Sequence, residues 1–274
     1  MLLNFILSDD GLPVPDGGDG LGLNRSFLFG DGFFETIRLG KNGFCPLATL
    51  HASRISRSAA FLKFTEWESF DENKFHHLMA SLKLPTLDHD WKVKVVFSRT
   101  GAGSYTIPEY SSSRIFITCE KLSRPFFQKL EVIRESSSIR IFPSSWGWLK
   151  STSALPYVLA GMERKEKQAD ELILCSADGW VVEGSYTSLC WKDADGIHFS
   201  PRRLGGVDSC QRRFTEHFFR QNGTHFSEKE TSFSQLLNES EWIAFLSALG
   251  IRFFFPAPGR TLPPPEFKAF PHSR

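Results

Sequence analysis

Lys150 stands at the end of the aromatic stretch Trp146-Gly147-Trp148-Leu149, directly before a segment with helical spacing. A lysine in apolar surroundings has a lowered pKa, the condition for condensing with a carbonyl to form an imine. The same placement also suits a lysine that lays its stem along a ring and keeps its ammonium in water. Glu183 sits in Val181-Val182-Glu183-Gly184-Ser185, where a carboxylate after two β-branched residues either points into a cleft or marks an ordinary strand end. Leu204-Gly205-Gly206-Val207-Asp208-Ser209 is a glycine-rich turn leading into a helix. N–H groups at a helix start suit a phosphate, although a tight turn with a cap explains the same residues. Asp208 would oppose an anion if its side chain faced that site.

The elements that must position these groups are mixed. Phe33 to Leu39 reads as a strand, and Ala48 to Lys63 has helical spacing with Leu50, Ile55, Ala59 and Leu62 apolar. A second helix is expected from Glu72 to Leu82. Lys92 to Phe97 alternates polar and apolar, and Arg114 to Thr118 follows a turn-rich stretch, so an antiparallel pair is expected in an α+β first domain. Residues 11–23 read as a loop, rich in Gly, Pro and Asp. The pattern breaks at Ser123-Arg124-Pro125, which divides the chain into a domain over 1–122, a linker over 123–128 and a larger domain over 129–274. In the second half, Leu155 to Gln168 is helical. Leu172–Cys175 and Trp180–Glu183 form a hairpin around Ala177-Asp178-Gly179, and Ser188–Trp191 pairs with Ile197–Phe199 around Asp195-Gly196. Asp208 to Gln221 is a helix with an acidic N-cap candidate. Leu262-Pro263-Pro264-Pro265 reads as a surface strap.

With 32 basic and 31 acidic residues in 274, there is no broad field to attract nucleic acid or an anionic membrane. The composition, 41% hydrophobic and 23% charged, is that of a globular chain, and the 27 phenylalanines read as core filling. Five scattered cysteines without a C-x-x-C pair argue against a disulfide framework or a structural zinc site and fit a reducing, cytoplasmic setting. The start, Met1 to Leu7, lacks a basic flank and reads as a strand, not as a signal peptide. No metal centre is expected, because His76 and His77 point about 100° apart on a helix. Arg202-Arg203 and Arg212-Arg213 fit either a basic patch or solvated faces, and Arg38 is expected to pair with a nearby carboxylate.

The order of these features resembles the fold-type IV pyridoxal-phosphate enzymes, the class IV aminotransferase family. Ala169-Asp170-Glu171-Leu172-Ile173-Leu174 resembles that family's A-D-E-x-x-x-L, and Asp178 to Ser185 resembles D-G-x-V-x-E-G-S. Phe29-Gly30-Asp31-Gly32-Phe33-Phe34-Glu35-Thr36-Ile37-Arg38 is similar to F-G-D-G-x-F-E-x-x-R, and His51 to Ala59 is similar to H-L-x-R-L-x-x-S-A. The Lys150-to-Glu183 separation matches as well. The resemblance implies two mixed α/β domains of the D-amino-acid aminotransferase-like fold, with the active site in the cleft between them. It also implies pyridoxal 5′-phosphate as cofactor, a small amino substrate and a homodimer.

By the same resemblance, Lys150 is the Schiff-base lysine and proton shuttle, and Glu183 pairs with the pyridine nitrogen. Arg54, the N–H groups of Cys210 and Gln211, and Ser247 hold the phosphate. The family contains branched-chain aminotransferases, D-amino-acid aminotransferases and 4-amino-4-deoxychorismate lyases. Its transaminases usually place a tyrosine five residues after the lysine, where this chain has Leu155 as lyases do. Thr36 matches a lyase threonine proposed to assist the proton steps. The pattern is therefore nearest to the lyases, which release pyruvate and leave 4-aminobenzoate for folate synthesis. An aminotransferase acting on branched-chain or D-amino acids is the alternative. The departures are Ser188-Leu189-Cys190 for N-L-F, Ser209 for a glycine of the phosphate turn, Ser247-Ala248 for a Thr-Asn or Thr-Gly pair, and Gly101-Ala102-Gly103-Ser104-Tyr105 for G-G-R-G-Y, which loses an arginine for a substrate carboxylate. They also fit a relative that keeps the fold as a binding module.

Overall fold

The structure, a computed structural model, describes residues 2–7, 12–15, 24–85, 89–101, 105–107 and 112–271. Most of the expected loop at 11–23, and Ala102, Gly103 and Ser104, lie outside them. The chain forms two compact units, the first reaching Arg124 and including Lys150–Ala154, the second made of Pro125–Leu149 and the chain from Leu155 onward. The segment carrying Lys150 thus packs with the first unit, although in sequence it lies within the expected second domain.

The first unit contains β1 (Leu2–Leu7), β2 (Pro13–Pro15), α1 (Arg25–Phe29), β3 (Gly32–Leu39), α2 (Ala48–Leu62), α3 (Glu72–Ser81), β4 (Asp90–Arg99) and β5 (Ser113–Leu122). Its sheet has the order β2-β1-β5-β4-β3, and β4 pairs antiparallel with both β3 and β5. Strand alternation makes one face apolar. Phe33, Ile37, Val93, Val95, Phe97, Ile115 and Ile117 are all buried, as are Ala52, Ile55 and Ala59 of α2. The opposite face of β3 and β4 carries Phe34, Thr36 and Arg38 beside Lys92, Lys94 and Val96, with Thr36 directly opposite Lys94.

The free edge of β3 is covered by the lysine segment. Phe34 N donates to Lys150 O at 2.9 Å, and Thr152 N donates to Gly32 O at 3.0 Å. This approach explains Gly30 of the Phe29-to-Arg38 motif. It adopts φ +68°, a left-handed conformation, and a Cβ there would lie 2.0 Å from Ser153 Oγ.

The second unit begins with β6 (Phe127–Leu130), so the expected linker is shorter than 123–128. It continues with β7 (Ile133–Ile141), α4 (Leu155–Glu166), β8 (Glu171–Ser176), β9 (Val181–Gly184), β10 (Ser188–Asp193), β11 (Gly196–Phe199), α5 (Cys210–Gln221), β12 (Phe226–Glu228), α6 (Phe233–Glu239), β13 (Trp242–Ser247) and β14 (Gly250–Phe254). A six-stranded sheet has the order β12-β11-β10-β13-β14-β6, and a three-stranded sheet the order β7-β8-β9. Both expected hairpins form, β8 with β9 and β10 with β11. Phe126, Phe199, Phe218, Phe219, Phe253, Phe267 and Phe270 share one core cluster. The last two correct the reading of the tail: past Pro264 the chain turns inward, because two large rings close the core there. No helix among the described residues is long and apolar enough to cross a membrane.

Candidate active site

In the first unit, Lys150 Nζ lies 4.4 Å from the centroid of the Phe34 ring. The aromatic surface beside the amine therefore includes a ring more than a hundred positions away in sequence, while the adjacent Trp146 is exposed. Lys94 Nζ approaches the same ring at 4.8 Å. The cations on this sheet face are not equivalent. Arg38 pairs with Asp90 at 2.6 Å, as expected, and Lys92 pairs with Glu120, whereas Lys94 has no carboxylate partner among the described residues. Burial first, and then the charge of Lys92, lower the Lys94 pKa below the ordinary lysine value.

Arg54 lies on the other side of β3. Its Nε and Nη2 reach Glu35 Oε1 and Oε2, each at 2.6 Å, and His51 Nδ1 lies 2.7 Å from Glu35 Oε2. Burial alone would raise the Glu35 pKa, but Arg54 and then His51 outweigh it and hold the carboxyl at about 2. The two-point pair fixes the plane of a guanidinium, a group whose fork of N–H donors is the right chemistry for a phosphate.

In the second unit, Glu183 is 4% exposed. Its Oε2 accepts from Val207 N at 3.0 Å, and its Oε1 accepts from the Tyr157 hydroxyl at 2.6 Å. The glycine turn can come this close because a Cβ on Gly206 would stand 3.3 Å from Glu183 Oε2 and 3.2 Å from Val182 Cγ1. Ser209, not Asp208, caps α5, its Oγ accepting from Arg212 N at 3.2 Å. The acidic N-cap expectation is thereby corrected. Asp208 instead accepts from Arg213 Nε and Nη2 at 2.7 and 2.5 Å and from Arg202 Nη1 at 3.1 Å. Its charge is neutralised within the turn. Arg203 pairs with Glu230, and Arg212 with Glu216 and Glu228, so these four arginines form ion-pair networks, not an unpaired basic patch.

Cys210 and Gln211 open α5, where the first amides have no acceptor within the helix. Gln211 Nε2 is buried with no hydrogen-bond acceptor among the described residues, a donor suited to a ligand. Ser247 is differently engaged, its hydroxyl donating to Gly250 O at 3.0 Å. To reach a phosphate, that hydroxyl would have to rotate away from the carbonyl. Sequence reasoning missed Tyr157, having looked for a tyrosine at position 155. It also missed the contact between Lys150 and Phe34, for which no local signal exists. Thr36 and Lys150 are both neighbours of Phe34, one along the strand and the other over its ring.

The pattern of the Amino-transferase class IV family matches residues 32–253. The chain belongs to that family and is a pyridoxal-phosphate-dependent enzyme. D-alanine aminotransferase of Bacillus licheniformis is 25% identical over 223 residues, covering 80% of this chain and 76% of that one. Among solved structures, the branched-chain aminotransferase of Thermoproteus uzoniensis matches with a TM-score of 0.78 at 19% identity, covering 92% of this chain and 86% of that one. The 4-amino-4-deoxychorismate lyase of Pseudomonas aeruginosa matches with a TM-score of 0.72 at 20% identity, covering 92% and 90%. At these identities the two structural likenesses establish the fold. Each unit carries chemistry that such a cofactor requires: the first an amine over an aromatic ring and an arginine oriented by a carboxylate, the second a buried carboxylate and a helix start.

Proposed function

We propose that this enzyme is a lyase that converts 4-amino-4-deoxychorismate to 4-aminobenzoate and pyruvate, serving folate biosynthesis. The observation that carries this reading is the group of side chains at Phe34, with Lys150 and Lys94 over one ring and Thr36 opposite Lys94. A lyase substrate with two carboxylates needs a cation as well as an amine. Lys94, the cation on this face without a carboxylate partner among the described residues, supplies it where the loop arginine is missing.

Lys150 holds the cofactor and moves the substrate α-proton, with Thr36 assisting. Glu183 pairs with the ring nitrogen, while Arg54, the amides of Cys210 and Gln211, and Ser247 hold the phosphate. The bound cofactor supplies an electron sink for the charge left when that proton departs. Aromatisation of the product ring drives the elimination, so the protein need only stabilise charge and place an acid–base group.

The aminotransferase reading draws on the D-alanine aminotransferase relative. One assay separates the two. Purified enzyme given aminodeoxychorismate without an oxo acid releases stoichiometric pyruvate if it is a lyase. An absolute requirement for an oxo-acid acceptor would instead establish the aminotransferase.

We also propose a homodimer. On α4, Leu155, Val158, Leu159 and Met162 are exposed with the spacing of a single helical face, which suits a second copy of this chain. Met162→Glu should shift a dimeric sedimentation coefficient towards that of the monomer.

A further inference from the structure

Glu183 is held from two sides by different parts of the second unit. The Val207 amide fixes Oε2, and the Tyr157 hydroxyl fixes Oε1. The tyrosine ring is partly buried and packs against a cluster that includes Ile139, Ala160, Leu174, Val182 and Leu204, so its hydroxyl emerges at the edge of a packed core and has little freedom to turn elsewhere. The helix that carries it is itself anchored. Glu163 of α4 accepts from Ser136 Oγ, Ser137 N, Ser137 Oγ and Ser138 Oγ at 2.6 to 2.8 Å, and Lys167 Nζ lies 2.7 Å from it. Burial first, and then the neighbouring Glu183 charge, raise the Tyr157 pKa above the ordinary tyrosine value, so the phenol stays a neutral donor.

We propose that Tyr157 is a positioning residue that fixes the Glu183 carboxylate and moderates its basicity towards the cofactor's ring nitrogen. This rests on the reading that Glu183 faces that nitrogen. A phenol donating to a carboxylate stabilises the anion and lowers its affinity for a proton. With the hydroxyl removed, the carboxylate becomes more basic and holds the ring nitrogen more fully positive. The ring then withdraws electrons more strongly, and the pH midpoint of the bound cofactor's visible band falls. Tyr157 differs in place from the tyrosine expected five residues after the lysine. Position 155 opens α4 and is exposed, whereas Tyr157 packs its ring against the core cluster and donates to the carboxylate.

The test uses the cofactor-loaded enzyme with Tyr157→Phe, which keeps the ring in the core cluster. The expected result is a visible band whose pH midpoint lies about 0.5 unit or more lower, with kcat reduced about tenfold and KM changed less than about twofold. In a Glu183→Gln background, Tyr157→Phe should move the midpoint no further, because the two residues act as one unit. A purely structural tyrosine would instead give additive effects. A normal band in both proteins with the same midpoint and kcat overturns the role of Tyr157 alone. A Glu183→Gln enzyme whose midpoint equals the wild-type value removes Glu183 from the ring nitrogen, and the present inference falls with it.

Discussion

The two carboxylate oxygens of Glu35 are each met by a different nitrogen of Arg54, both at 2.6 Å, in a pair buried on the core side of β3. The folded-state pKa of Glu35, about 2, lies below its ordinary 4.5, so the folded chain binds fewer protons there than the unfolded chain. The stabilisation is therefore complete above about pH 4.5 and is lost as the pH falls towards about 2. Acid unfolding followed by circular dichroism should show this loss. Glu35→Gln should flatten the dependence and lower stability at neutral pH by roughly 3 kcal/mol, since it takes the carboxylate charge away from a buried guanidinium.

If that pair also aims Arg54 at the cofactor's phosphate, Glu35→Gln should weaken cofactor binding as well. An increase of about tenfold in the cofactor's Kd, measured by fluorescence quenching, is the expected outcome. An unchanged Kd would leave Arg54 a purely structural residue.

Gly30 permits the close approach of the lysine segment to β3. Gly30→Ala combines a left-handed backbone with a methyl group facing Ser153, so a loss of about 1–3 kcal/mol is expected. Because Lys150 belongs to the displaced segment, cofactor loading should fall with it. Ser153→Gly in the same chain removes the Ser153 side-chain contacts and should restore part of both losses, as thermal unfolding and the visible band would report.

Ser209, which by the family resemblance replaces a glycine of the proposed phosphate turn, caps α5. Ser209→Ala should cost about 1 kcal/mol and Ser209→Gly only a few tenths. Neither should abolish phosphate binding, because the amides of Cys210 and Gln211 remain. Denaturant midpoints, together with titration by inorganic phosphate, check both halves of the expectation.

Lys94 provides the test of substrate charge. Lys94→Gln should leave the visible band of the bound cofactor intact and reduce kcat/KM for aminodeoxychorismate about tenfold or more, with Lys94→Arg retaining most of the activity. Equal kcat/KM for Lys94→Gln and wild type would remove Lys94 from substrate recognition.

The sequence by itself determined the elements and the ordered motifs. Alternation in Lys92–Phe97 and in Phe33–Leu39 marks strands because every second side chain must enter the core, and the glycines at 30 and 205 mark turns through a left-handed backbone that other residues rarely adopt. These are local constraints, written within a few neighbouring positions. Tertiary structure decided which side chains meet. No local rule brings Phe34 to Lys150, since the contact depends on the lysine segment covering the edge of β3. Asp208 reads in sequence as a cap or as a charge opposed to phosphate, yet Arg202 and Arg213 close on it, and the tyrosine that meets Glu183 stands at 157, two positions past the one that family spacing marks. Phe267 and Phe270 follow a proline run that suggests surface, yet the core left room for two rings. Spacing along the chain fixes backbone conformation, whereas the direction of a long side chain depends on partners that only the folded chain assembles.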